Sequence, residues 1–330
     1  MAGAADPAWA WSQLWRTGAA QSCPALLRTD SEDGTALLAR WRAFFAGLPA
    51  AGRVLDLGTG NGVIARQAVL ASRQQGLDLE VHGADLAATD PRQVAQDSDQ
   101  VLAAIQFHPG VAIEALPFPD HWCDGLSSQF ALEYADLDAA AAQAMRVLKP
   151  GGRFCLLLHA ADSALSQHCR DQHRQAVTLL ESPLLDRLST ALGAIHHAQH
   201  TDTPASLEAA QTAIAALKAA MDAQAAQALQ AGDNRLSRDF LAAVGRLPAQ
   251  AVAADPAWLQ TQIQDLRQRL TAQAQRLAAQ AAAGLDRDAT QALAARLAAA
   301  GAVDIAIEAC AIGSPPQLIG RWMHGRRGGA

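Results

Sequence analysis

Val54-Leu55-Asp56-Leu57-Gly58-Thr59-Gly60-Asn61-Gly62 is an apolar strand running straight into a glycine-rich turn, with helix-compatible sequence beginning at Val63. Without Cβ atoms the turn can take positive φ, and its backbone N–H groups can approach a ligand closely at a helix N-terminus. The partial positive charge there suits a carboxylate or a phosphate. Spacing narrows the choice of ligand. The dinucleotide fingerprint needs GxGxxG, whereas this turn runs Gly58-x-Gly60-x-Gly62 and places Val63 where the third glycine would fall. A nicotinamide or flavin partner is thereby disfavoured.

Outward from the turn, the apolar runs Arg53–Leu57, Leu79–Ala84, Gly125–Ser128 and Gly152–His159 read as strands, separated by helical stretches such as Val63–Gln75 and Leu137–Leu148. Such alternation specifies a parallel sheet covered by helices on both faces. Residues 1–50 read as short helices carrying Trp9, Trp11, Trp15 and Trp41, punctuated by Pro24. After His159 the composition turns to Ala, Gln, Leu and Arg, and strand formers become scarce until about Leu285. Two apolar seams at spacings of three and four, Leu207 to Leu229 and Leu259 to Leu277, can pair as an internal antiparallel hairpin or as a seam between two copies of the chain. A further helix over 286–301 and two strand-like runs, Val303–Ala311 and Gln317–His324, bring the chain back to the sheet. The expected organisation is a helical cap over 1–50, a sheet domain formed by 51–159 and 286–330, and an all-helical insertion over 160–285.

A net charge of -6 argues against nucleic acid as the main partner, which needs a concentrated basic face. The cluster Arg321, Arg326 and Arg327 reads as a solvated tail. The N-terminus lacks a basic n-region and a continuous apolar h-region, and no stretch of roughly 18 uncharged apolar residues follows, so a soluble cytoplasmic protein is expected. Five scattered cysteines without CxxC spacing predict neither a disulfide framework nor a structural zinc site. His168, Cys169 and His173, and likewise His196, His197 and His200, stand at helical spacings compatible with metal, but lack a matched carboxylate or second cysteine; no metal is expected.

About 20 residues beyond the turn, Gly83-Ala84-Asp85-Leu86 closes the second strand with an acid at its tip, where a carboxylate can accept from both hydroxyls of a ribose. Three further segments follow in order: Glu114-Ala115-Leu116-Pro117-Phe118-Pro119-Asp120, then Cys123-Asp124-Gly125-Leu126-Ser127-Ser128, then Arg146-Val147-Leu148-Lys149-Pro150-Gly151-Gly152-Arg153-Phe154. Together with the turn, this series resembles the class I S-adenosylmethionine-dependent methyltransferases, and among them the ubiquinone/menaquinone-biosynthesis type. The resemblance covers roughly residues 50–160, and 286–324 only through strand order.

The resemblance implies a Rossmann-like α/β sheet, S-adenosyl-L-methionine as cofactor and a small-molecule methyl acceptor. It implies that Asp56 and the backbone from Gly58 through Thr59, Gly60 and Asn61 to Gly62 hold the methionine end. Asp85 would hold the ribose, Leu86 would lie against the adenine, and backbone groups around Ile113 and Glu114 would read its edge. Ser128 and Gln129, at the end of the fourth strand, complete the cofactor set. Family members commonly carry an acid where this chain has Ala112, so adenine recognition would rest on that backbone or be looser. Methyl transfer from a sulfonium is an in-line displacement that needs alignment and exclusion of water more than catalytic side chains. Gln129, Glu133 and Tyr134, beyond strand four, are the candidates for contact with the acceptor, and Glu133, Tyr134 and His159 for catalysis, a carboxylate beside a phenol being able to take a proton. The N-terminal tryptophans are candidate walls of an apolar pocket, and Arg16 and Arg28 candidate partners of the cofactor carboxylate. The insertion reads as an acceptor lid or an association element. The alternative function is a cofactor-binding, noncatalytic protein that associates through it, as a homodimer for example.

Overall fold

The computed structural model describes residues 7–19, 31–94, 100–230, 234–251 and 254–329. Cys23, Pro24 and Arg28 lie outside the described residues. The chain divides into two compact units, Met1–Gln167 with Ala279–Ala330, and His168–Ala278.

In the first unit, α1 (Pro7–Trp15) and α2 (Glu32–Ala46) precede β1 (Arg53–Leu57), α3 (Val63–Gln75) and β2 (Glu80–Asp85). There follow β3 (Ile105–Pro109), β4 (Cys123–Gln129), α4 (Leu137–Val147) and β5 (Leu148–His159). Beyond the helical stretch, α10 (Arg287–Ala299), β6 (Ala302–Ile312) and β7 (Gln317–Arg327) complete the sheet. The seven strands lie in the order β3-β2-β1-β4-β5-β7-β6; β1 to β5 pair in parallel and β7 runs antiparallel to both β5 and β6. This is a Rossmann-like sheet, the α/β architecture that the resemblance to class I methyltransferases implied.

Local chemistry explains the elements. Asp136 and Asp286 cap α4 and α10 by accepting from the backbone N–H groups of Ala139 and Ala289, which satisfies donors the helices leave open. Gly62 and Gly76, both left-handed, bracket α3. Strand β1 is buried from Val54 to Leu57, as a strand between two parallel neighbours must be. The core gathers Leu55, Leu57, Leu126, Leu156 and Met323 from the sheet with Ala144 and Met145 of α4, Leu293 and Leu297 of α10. Arg146 of α4 donates to the carbonyls of Leu116 and Phe118 at 2.9 and 2.7 Å, so the arginine of one motif clamps the Leu-Pro-Phe turn of another.

Strand β3 was not among the sequence expectations. At the edge of the sheet only its Ile105 is buried, and the stretch is too short and polar to announce itself. The Lys149-Pro150-Gly151-Gly152 turn is part of β5: Cys123 faces Leu148 and Gly125 faces Arg153, so the intervening residues bulge from a continuing strand. Arg321, Arg326 and Arg327 are not a solvated tail. They lie in β7, where Arg321 is 8% exposed. Its guanidinium donates to the carbonyl of Leu285 at 3.0 Å and to Asp162 at 2.8 Å. Arg326 pairs with Asp304, and Arg327 donates to the carbonyls of Arg146 and Leu148.

That same arginine secures the stem of the helical excursion. Leu285 N–H donates to the His159 carbonyl at 2.9 Å, and Ala161 N–H to the Leu285 carbonyl at 3.0 Å. The chain therefore leaves and rejoins the sheet at one hydrogen-bonded point, the carbonyl of the last residue of β5.

The helical stretch comprises α5 (Ala164–Glu181), α6 (Leu184–Thr201), α7 (Pro204–Leu229), α8 (Arg235–Gln250) and α9 (Pro256–Ala283). Within the second unit α7 packs mainly on α6, burying Ala210 and Leu217. The hairpin of α7 with α9 is therefore not the principal pairing. Leu207, Ile214 and Leu229 of the expected seam are 48%, 41% and 72% exposed. Among the described residues no helix is long and apolar enough to cross a membrane.

Candidate functional site

Parallel sheets gather ligands beyond the C-terminal ends of their strands, where the strand order reverses. In the first unit a cleft of about 610 Å³, solvent mouth included, opens at that edge. Gly58, Asp85 and Leu86 line it from the tips of β1 and β2, and Ala112, Ile113 and Glu114 from the segment after β3. Trp11, Trp15, Phe130 and Tyr134 contribute aromatic rings to the lining.

The glycine turn owes its shape to close approach. Gly58 and Gly60 have φ of +63° and +52°. A Cβ on Gly58 would lie 2.2 Å from that of Ala131, and one on Gly60 2.8 Å from the Trp15 ring. Both the left-handed backbone and the lack of space therefore require glycine. Thr59 N–H donates to the Ala84 carbonyl, which fixes the turn against β2. The Asn61 side-chain amide donates to the carbonyls of Trp15 and Ala19 at 3.0 and 2.7 Å, so the turn also holds the end of α1. Asn61 Oδ1 is buried without a hydrogen-bond partner.

Asp85 Oδ2 accepts from Gly60 N–H at 2.7 Å and Oδ1 from Ala87 N–H at 2.8 Å. Burial pushes its carboxyl above the ordinary range, against the two backbone donors. Each oxygen keeps lone pairs for further donors. Asp56 sits elsewhere, inside the sheet at 1% exposure, where Ser127 Oγ donates to it at 2.7 Å. Burial pushes its pKa up to about 7, with the Ser127 hydrogen bond opposing.

Glu133 and His159 form a buried pair. The His159 backbone N–H donates to Glu133 Oε1 at 2.6 Å, and the ring Nδ1 lies 2.7 Å from the same oxygen. An ionised Glu133 there calls for the Nδ1–H tautomer. Glu133 Oε2 is buried with no partner. Phe130, at φ +53°, packs its ring 4.4 Å from that of His159, and Tyr134 meets the same ring edge-on at 5.8 Å. A left-handed phenylalanine at a strand tip is a strained backbone of the kind that clusters at functional sites.

Of the residues singled out from sequence, Gly58, Asp85, Leu86, Ile113, Glu114 and Tyr134 line the cleft. Others are committed to the fold: Ser128 Oγ donates to the Leu57 carbonyl and accepts from Leu132 N–H, and Gln129 accepts from Trp41 Nε1 at 2.7 Å. Thr59 fills the space that Gly83 leaves by lacking a side chain. Gly62 packs against Phe107 and Leu102. The four tryptophans of the N-terminal helices divide: Trp11 and Trp15 face the cleft, Trp9 is half-buried, and Trp41 is fully buried against Phe45 and Trp322. Arg16 is exposed and does not line the cleft. Phe130, Ala131 and Ala135 line it without having been singled out; Phe130 had only its place after the fourth strand to mark it. Among the described residues no three metal-ligating side chains converge.

Residues 55–156 match a family model described as a methyltransferase domain. A demethylmenaquinone methyltransferase of Thermus thermophilus is 34% identical over 106 residues, 32% of this chain and 46% of that protein. A ubiquinone/menaquinone biosynthesis C-methyltransferase of Serratia proteamaculans is 32% identical over 121 residues, 36% of this chain and 47% of that protein. Among solved structures, the geranyl diphosphate C-methyltransferase of Streptomyces coelicolor A3(2) superposes with a TM-score of 0.35 at 16% identity, covering 48% of this chain and 67% of that one. The chain spans a little under half the length of the curated relatives it matches. The matched segment runs from β1 into β5 and contains the glycine turn, Asp85 and the segment after β3. Over that segment the chain is similar to class I S-adenosylmethionine-dependent methyltransferases of the ubiquinone/menaquinone type.

Proposed function

We propose that this chain is an S-adenosylmethionine-dependent methyltransferase acting on a small-molecule acceptor. The observation that carries the reading is the convergence of Gly58, Asp85 and the Ala112–Glu114 segment on one cleft. Those three groups sit at the ends of three adjacent strands, β1, β2 and β3, and so span about 10 Å at the usual strand spacing, a length suited to an aminoacyl nucleoside. In this reading Gly58, which lines the cleft, presents backbone without a side chain to the methionine end. The Asp85 carboxylate takes the ribose hydroxyls, and the backbone from Ala112 to Glu114 takes the adenine. Bound there, the cofactor supplies a methyl group already activated by its positive sulfur.

The chain's own part is alignment and drying. Trp11, Trp15, Phe130 and Tyr134, which line the cleft, exclude water from it. The Glu133–His159 pair, fastened to the end of β5, orients Phe130 and Tyr134 by packing beneath them. The helical unit is an acceptor lid or an association element in this scheme.

Two measurements test the proposal. Calorimetry of the purified chain should show saturable binding of S-adenosylmethionine and S-adenosylhomocysteine and none of NAD. Incubation with methyl-deuterated cofactor and cell extract should then yield deuterated small molecules by mass spectrometry. Binding without labelling marks the noncatalytic alternative, and absence of binding ends both.

A further inference from the structure

His159 is engaged on three sides. Its backbone N–H and ring Nδ1 both meet Glu133 Oε1, at 2.6 and 2.7 Å. Its ring supports two of the rings that line the cleft, Phe130 at 4.4 Å and Tyr134 edge-on at 5.8 Å. Its carbonyl accepts from Leu285 N–H at 2.9 Å, where the chain returns from α9. Leu285 is held in turn by Arg321, whose Nη1 donates to the Leu285 carbonyl at 3.0 Å while Nη2 donates to the two oxygens of Asp162 at 2.8 and 3.0 Å. The residue before Arg321 completes the seat. Gly320 lies opposite His159 in the pairing of β5 with β7, and a Cβ on it would stand 2.9 Å from Cε1 of the Phe130 ring. His159, Leu285, Gly320 and Arg321 all lie outside residues 55–156, the stretch that matches the methyltransferase model.

His159, Leu285 and Arg321 are all buried, and in a close-packed interior one member of such a chain of contacts moves only with its neighbours. Phe130 depends most on that support, because a left-handed backbone at φ +53° persists only where the surroundings hold it. In-line displacement is sensitive to such placement: an error of about 1 Å can cost about a hundredfold in rate. Resting on the cofactor reading above, we propose that Arg321 is a positioning residue for methyl transfer, setting through Leu285 and His159 where Phe130 and Tyr134 stand in the cleft. Arginine suits the role because its planar fork serves the Leu285 carbonyl and Asp162 with separate nitrogens, whereas lysine offers a single one.

Tyr134 is the chain's only tyrosine, so protein grown with 3-fluorotyrosine reports on one ring, and that ring lines the cleft. In the wild type, S-adenosylhomocysteine should bind by calorimetry and shift the fluorine resonance. Arg321→Lys should bind S-adenosylhomocysteine as the wild type does, since Gly58 and Asp85 are not part of this path, but its resonance in the free protein should move by more than the linewidth or split. Asp162→Asn keeps an acceptor for Arg321 and leaves the bond to Leu285, and should not move it. Spectra are recorded below the thermal transition of each variant, where lost stability alone leaves the resonance in place. At saturating methyl-deuterated S-adenosylmethionine, label transfer into cell extract should fall by about tenfold or more in Arg321→Lys and persist in Asp162→Asn. Arg321→Gln, read in the same way, replaces the lysine variant if that one does not fold. Coincident resonances in the folded wild type and Arg321 variant, or equal label transfer by the two, overturn the assignment. So does a resonance that stays in place although S-adenosylhomocysteine binds, or a wild type that binds it and transfers no label. Failure to bind S-adenosylhomocysteine would instead remove the cofactor reading on which the assignment rests.

Discussion

Replacing Asp56 by asparagine should change how stability depends on pH. In the folded protein this carboxyl is buried between β1 and β4 and its pKa is raised from 3.8 to about 7. A raised pKa means that the folded state binds the proton more tightly than the unfolded chain does. The resulting advantage is fully present below about pH 4 and is lost as pH rises through about 7. A shift of roughly 3 units, at about 1.4 kcal/mol each, gives about 4 kcal/mol over the whole window. Integrated from pH 5 to pH 8 the loss is about 2.5 kcal/mol. Asparagine keeps an Oδ1 that can accept from Ser127 Oγ, as Asp56 does at 2.7 Å, but it does not titrate. Urea unfolding of both proteins at several pH values between 5 and 8, followed by circular dichroism and tryptophan fluorescence, reads the effect as the difference between the two proteins. The wild type should lose about 2.5 kcal/mol relative to Asp56→Asn across that range. Parallel curves would show that the carboxyl is ionised at little cost, and would refute the account of its burial.

Asp85→Ala should weaken S-adenosylhomocysteine binding by about 1–3 kcal/mol, the cost of leaving buried hydroxyls unpaired, and calorimetry reads it directly. Gly58→Ala forces a Cβ to 2.2 Å from that of Ala131 on a backbone with φ of +63°, so binding should be lost and thermal unfolding should come earlier. Arg321→Ala removes the donors that hold Leu285 and Asp162, and should lower stability in urea by about 2 kcal/mol, a typical value for hydrogen bonds to a charged group. If the helical unit joins two copies through the uncovered side of α7, then glutamates at Leu207, Ile214 and Leu229, all exposed, should yield a folded monomer from a dimeric wild type in sedimentation velocity. A wild type already monomeric would dispose of that interface.

Some of this protein is legible without coordinates because certain residue types answer to the backbone alone. The glycine turn is one case: Gly58 and Gly60 stand where φ is positive and neighbours crowd the missing Cβ, and that requirement is visible in the residue names. Asp85 is another, since an acid at the end of an apolar run marks a strand tip, and Asp85 lines the cleft there. Helix α3 could be read to its final residue because Gly62 and Gly76 bound it.

What the sequence withheld depends on which surfaces meet. Trp11, Trp15 and Trp41 look alike in sequence, and only the packing of α2 against Trp322 sends Trp41 to the core while the other two face the cleft. Glu133 and His159 lie 26 residues apart and become partners because β4 and β5 are neighbours. The seam of α7 has helical periodicity whether or not anything covers it, so the helices packed on it, chiefly α6, decided that Ala210 and Leu217 are buried and Leu207 is not. Arg321 reads as a surface charge until β7 places it beside the Leu285 carbonyl. Backbone geometry is a local property that a few residues can specify. Burial and partnership are properties of pairs of surfaces, and a chain acquires them only when it has folded.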